Sequence, residues 1–116
     1  MPIFLKRAYE KPSSEDGKRI LVERLWPRGL KKYSAKIDEW PKNVAPSAGL
    51  RKWYGHEPTK WPEFKRRYWA QLDKQKDAVE KLADVGKKCK VTFLFGSKEE
   101  KLNSAAALKE YLEMKI

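Results

Sequence analysis

At 116 residues the chain has room for one domain, and folding at this size buries roughly two-thirds of the unfolded surface, so a core forms without metal or disulfide staples. Lys and Arg number 27 against 16 Asp and Glu, a net charge of +11, and the single cysteine, Cys89, excludes an intrachain disulfide and the cysteine framework of a small secreted protein. Met1-Pro2-Ile3-Phe4-Leu5 turns charged at Lys6-Arg7, and no apolar run approaches the roughly 18 residues of a membrane span, so no signal peptide, no membrane partner and a cytoplasmic location are expected.

Residues 3–7 read as a short strand, and the polar loop that follows ends in Asp16-Gly17, which is turn chemistry. A second strand is predicted over Arg19–Arg24, where the apolar triplet Ile20-Leu21-Val22 implies cover on both faces. From Leu25 to Pro46 the chain is broken by Pro27, Gly29, Pro41 and Pro46, with a short element around Lys36–Trp40. A connection this long is functional or rests on its own packing.

Ser47 then caps a helix that runs through Leu50, Trp53 and Tyr54 to Gly55, and Thr59 is expected to cap the next, with Pro62 in its first turn. Trp61, Phe64, Tyr68 and Leu72 form one apolar stripe of that helix, and Glu63 pairs with Arg66 and Arg67 on its outer face. Lys76–Val85 repeats the pattern through Ala78, Leu82 and Val85, with Gly86 as its C′ residue. Val91–Phe95 is the strongest strand. After Gly96, Ser97-Lys98-Glu99-Glu100 has the form of a capping box for a final helix carrying Leu102, Ala105, Leu108 and Leu112 inward. No repeat, low-complexity segment or linker divides residues 1–116. The expected architecture is a compact single α/β domain with a small, largely parallel sheet flanked by helices.

Chemistry concentrates at the ends of the second and third strands, where α/β proteins keep ligand sites. Glu23-Arg24-Leu25-Trp26-Pro27-Arg28-Gly29 offers two guanidiniums suited to carboxylate or phosphate and an indole able to stack on a ring. The same segment also reads as scaffold, with Trp26 in the core and the arginines tying loop backbone and Glu23. Gly96-Ser97-Lys98 presents backbone N–H groups to an anion, although no phosphate-loop signature is present, and it also reads as a simple helix cap. His56, the only histidine, sits between Gly55 and Glu57 as a general acid or base, or as a structural cap. Cys89 lies among lysines that lower a thiol pKa, but a free cysteine is commonly just a small buried side chain. One His and one Cys build no zinc cluster, so neither metal nor cofactor is expected.

Charge raises a second class of partner. A surplus of cations attracts nucleic acid by counterion release, and aromatics interleaved with Lys and Arg stack on bases. Most rings fall on the apolar stripe, which leaves Trp69 as the exposed candidate. Because 20 of the 27 cations are lysines spread along the chain, an ordinary solvated surface accounts for the charge better than a dedicated nucleic-acid face does.

Three blocks make the chain resemble the YeaO-like group of bacterial and archaeal proteins, a family of unknown function. They are Arg19-Ile20-Leu21-Val22-Glu23-Arg24-Leu25-Trp26-Pro27-Arg28-Gly29, the segment from Ala45-Pro46-Ser47 through Leu50-Arg51-Lys52-Trp53-Tyr54-Gly55-His56-Glu57-Pro58 to Trp61, Phe64 and Arg67-Tyr68, and Val91–Phe95 with Asn103 and Ala105. The family more often has Asp where this chain has Glu23. It usually carries an Asp and a His where this chain has Glu99 and Leu102, which argues against acid–base chemistry in that loop. The resemblance implies a compact α/β domain without an established activity and adds weight to Arg24, Arg28, Arg51 and His56.

The leading expectation is therefore a cleft for a small phosphate- or carboxylate-bearing ligand, bound by Arg24, Trp26, Arg28, Arg51, Gly96, Ser97 and Lys98. His56 is the proton carrier if a reaction occurs. The alternatives are a nucleic-acid-binding protein and an interaction module without a small ligand. Whether a reaction is catalysed, and the oligomeric state, are left open by the sequence.

Overall fold

Three parallel strands, β1 (Ile3–Arg7), β2 (Lys18–Leu21) and β3 (Val91–Phe95), organise the computed structural model, which describes residues 3–115. The sheet order is β1-β3-β2, so the strand last in sequence lies between the other two, and all five of its residues are buried. Ile3 and Lys18 are level with Val91, and Leu5 and Ile20 with Phe93. This in-phase pairing puts Ile3, Leu5, Ile20, Val91, Phe93 and Phe95 on one face and Phe4, Lys6, Arg19, Leu21, Thr92 and Leu94 on the other.

The first face packs on four helices, α2 (Ala48–Tyr54), α3 (Trp61–Asp73), α4 (Lys76–Lys88) and α5 (Ser104–Lys115), through Leu50, Phe64, Tyr68, Leu72, Val79, Leu82, Leu108 and Leu112. The stripe predicted for α3 is its core face, with Phe64, Tyr68 and Leu72 buried and Trp61 half-buried. The second face is covered by the long connection instead, where Trp26, Leu30, Ile37 and Trp40 pack on Ala8, Leu21 and Leu94. One short helical turn, α1 (Lys32–Ala35), interrupts that connection, and Glu39 makes an isolated parallel bridge to Ile20.

A buried ion cluster lies on the same face. Asp16, at the end of the β1–β2 loop, accepts from Lys6 Nζ at 3.1 Å, Arg19 Nη1 at 2.6 Å and the Ser13 N–H at 2.9 Å, while its carbonyl accepts from Thr92 Oγ1 at 2.7 Å. Side chains from all three strands thus converge on one loop residue. Gly17 must follow it, because its φ is +65° and a Cβ there would stand 2.3 Å from the Lys90 carbonyl oxygen.

Four expectations about boundaries change. β2 ends at Leu21; the Val22 N–H still reaches the Leu94 carbonyl, but Glu23 then turns to bond the backbone beyond β3. Thr59 does not cap α3, because a 3₁₀ turn over Pro58–Lys60 leads straight into it and the Trp61 N–H bonds the Pro58 carbonyl. Gly86 is buried inside α4, which stops only where Cys89 becomes extended; that thiol is exposed and donates to the Val85 carbonyl. Ser97 opens no helix. Glu99 accepts from the Lys101 and Leu102 N–H groups to close a turn, and Asn103, through Oδ1 to the Ala106 N–H, begins α5.

Candidate functional site

Parallel strands end on one edge, and a cleft of about 340 Å³ opens there, beyond β2 and β3. Its lining comes from the β2 exit (Glu23, Leu25), from α2 and the turn after it (Arg51, Lys52, Tyr54, His56), and from the segment between β3 and α5 (Ser97, Asn103). The volume lies at the small end of the range of roughly 300–1,000 Å³ typical of small-molecule sites.

Local rules place the cationic side. Ser47 Oγ accepts the Leu50 N–H and so starts α2, and Gln71 of α3 holds Ser47 through both its backbone N–H and its hydroxyl. Tyr54 closes the helix, stacks on Phe64 with centroids 4.4 Å apart and donates its hydroxyl to the Leu102 carbonyl. Burial, and secondarily the Glu99 charge, raises the Tyr54 pKa. Gly55 and then His56 both take left-handed backbone, with φ of 54° and 58°, which swings the imidazole back to within 6.1 Å of the Tyr54 ring. Only the glycine adopts that conformation freely; His56 is held there at a cost. Arg51, Lys52 and His56 are exposed, and none makes a side-chain hydrogen bond or ion pair among the described residues.

The other side is anionic. Glu23 is only 7% exposed, accepts the Gly96 N–H at 2.8 Å through Oε2, and lends its backbone carbonyl to Trp40 Nε1 at 2.6 Å. A Cβ at Gly96 would stand 3.3 Å from that carboxylate oxygen, so a larger residue there would crowd Glu23. Glu99, on the neighbouring turn, has its carboxyl held below the usual range chiefly by the Lys101 and Leu102 N–H groups, with His56 adding a smaller attraction. Asn103 is spent on Glu99 and Ala106.

The structure brings Arg51, His56 and Ser97 together and leaves the other sequence candidates elsewhere. Arg24 donates to the Ala45 and Pro46 carbonyls at 2.9 and 3.1 Å, which makes it a tie between the β2 exit and the α2 entry. Trp26 bonds the Leu30 carbonyl and meets Trp40 edge-on under the long connection. Arg28 is exposed outside the cleft lining, where its carbonyl accepts from Tyr9. The Gly96 N–H is already occupied by Glu23, Arg7 binds the Ser97 carbonyl, and Lys98 lies on the surface outside the lining. Trp69 corrects a separate expectation: half-buried, it donates to the Ala107 carbonyl and packs on Tyr111.

Sequence reasoning passed over Glu23 and Lys52 as site residues. The signal for the first was an acid placed directly after an apolar triplet; for the second it was adjacency to Arg51 on the last turn of a short helix. Among the described residues no helix is long and apolar enough to cross a membrane.

The chain matches the family described as "Inactive DUF488-N3 subclade" over residues 2–116. It is similar to the uncharacterized protein YeaO of Escherichia coli, with 40% identity over 112 residues that cover 97% of each chain. It is also similar to the uncharacterized proteins Rv3073c of Mycobacterium tuberculosis and Mb3100c of Mycobacterium bovis, each 43% identical over 70 residues, 60% of this chain and 59% of theirs. No solved structure matches.

Proposed function

This chain belongs to the YeaO-like proteins of the inactive DUF488-N3 subclade, and we propose that it binds a small anionic ligand, bearing phosphate or carboxylate, in the cleft beyond β2 and β3. One observation carries this reading. Arg51, Lys52 and His56 converge on a concave site with no protein acceptor for any of them among the described residues, and charge-assisted bonds to an anion are what such groups lack. The family's description as inactive supports binding over turnover, with His56 as a ligand contact rather than a proton carrier. Ser97 lines the same cleft, whereas Arg24 ties the β2 exit to the α2 entry beside it. We place the protein in the cytoplasm, where a lone exposed thiol such as Cys89 stays reduced.

Titration of 15N-labelled protein with inorganic phosphate and with acetate tests this. Shifts should concentrate at Arg51, Lys52, His56 and Ser97. Arg51→Ala should weaken binding at least about tenfold, roughly 1.4 kcal/mol, and Arg28→Ala should leave it unchanged. Shifts scattered over surface lysines, or an Arg51→Ala variant that binds as well as the parent, overturn the reading.

A further inference from the structure

We propose that the natural ligand of this cleft is a small zwitterion, its acid group held by Arg51, Lys52 and His56 and its ammonium group held by Glu23. This rests on the anion-binding reading and adds the second half of the ligand. The observation behind it is a residue of opposite charge in the same lining. Glu23 is more than nine-tenths buried, yet only one of its carboxylate oxygens is bonded, to the Gly96 N–H. Its nearest cationic neighbour in sequence, Arg24, is committed to the Ala45 and Pro46 carbonyls, and Glu23 forms no ion pair among the described residues.

Burial limits where the free oxygen of Glu23 can go. Among the described residues, Arg19 Nη2 is the one fully buried side-chain polar atom without a partner, so the unbonded oxygen of Glu23 reaches a surface. Glu23 lines this cleft, which gives that oxygen an outlet. A carboxylate largely stripped of water and holding a single N–H bond is a strong acceptor for a cationic donor. Its charge is felt nearby: the Tyr68 hydroxyl is pushed up by burial first and by Glu23 second.

The two walls together define the ligand. A simple anion attracted by Arg51 and Lys52 meets repulsion from Glu23, and a simple cation drawn to Glu23 meets repulsion from Arg51 and Lys52. A molecule with both charges and a short spacer satisfies each wall, in the way specificity arises from attraction and repulsion together. Leu25, 69% exposed, supplies apolar surface for the spacer. A volume near 340 Å³ suits an amino-acid-sized compound rather than a nucleotide.

The test uses two pairs of probes that differ only in the ammonium group: O-phosphoethanolamine against ethyl phosphate, and leucine against 4-methylpentanoate, each titrated into the full chain. In at least one pair the zwitterion should bind about tenfold tighter or more, and Glu23→Gln, which retains an acceptor for the Gly96 N–H, should abolish that preference while binding ethyl phosphate more tightly than the parent does, because the repelling charge is gone. Equal binding within both pairs sinks the zwitterion and leaves the anion cleft standing. An undiminished preference in Glu23→Gln also sinks it. No shift at Arg51, Lys52 or His56 with any of the four probes overturns both readings. If Glu23→Gln does not fold, the comparison within each pair on the parent protein decides alone.

Discussion

His56 is where local strain and the cleft meet. A histidine at φ 58° occupies backbone that costs a non-glycine residue roughly 1–2 kcal/mol, and such outliers collect where a side chain has work to do. His56→Gly should therefore separate the two properties. Stability in urea should be unchanged or rise by up to about 1 kcal/mol, while affinity for phosphate falls. A variant that is clearly less stable would show that the imidazole serves packing. The arginines give the complementary lesson. Arg24 and Arg51 are the same residue type, yet one donates to two loop carbonyls and the other faces an open cleft.

Among the elements, the β1–β2 connection carries the most concentrated electrostatics. Burial alone would push the Asp16 carboxyl up, but the bonds from Ser13, Lys6 and Arg19 outweigh it and leave the pKa lowered. A lowered folded-state pKa contributes stability that is fully present above the unfolded value of about 3.9 and is lost as pH falls through the folded value. Asp16→Asn should cost about 3 kcal/mol at pH 7, since it leaves the buried Arg19 guanidinium without its countercharge. The gap between variant and parent, read from urea unfolding, should narrow as pH drops below about 4. A gap that stays constant with pH would mean that the hydrogen bonds, not the charge, hold the loop.

Neighbouring elements were legible to different degrees. β1 and β3 stood out because their residues suit a buried pleated surface, and both have the predicted limits. The end of β2 was not legible, because what stops it is a bond from Glu23 to a backbone N–H 73 residues further along the chain. The start of α5 was misplaced for a similar reason: Ser97 and Asn103 are both good caps, and the turn held by Glu99 decides between them.

For the molecule as a whole, charge is the dominant bulk property. The +11 surplus makes the folded chain repel itself, and apart from the pairs around Asp16 the ion pairs are formed by exposed or partly exposed side chains, which contribute little. Raising NaCl from about 10 mM to about 0.5 M shortens the screening length from roughly 30 Å to under 5 Å. Tm should therefore rise with salt. A falling Tm would show that attractive surface pairs outweigh the net repulsion.

Composition and periodicity by themselves determined the α/β class, the limits of β1 and β3 and the core stripe of α3, because each depends on contacts a few residues apart or on a repeating burial pattern. Only the tertiary structure decided which charged side chains face that cleft. Arg24 was taken up by carbonyls distant in sequence, Trp26 and Arg28 lie outside the lining, and Glu23 was brought into one cleft with Arg51 and His56. Side-chain chemistry is local, but which groups are left without a partner is a property of the whole packed chain.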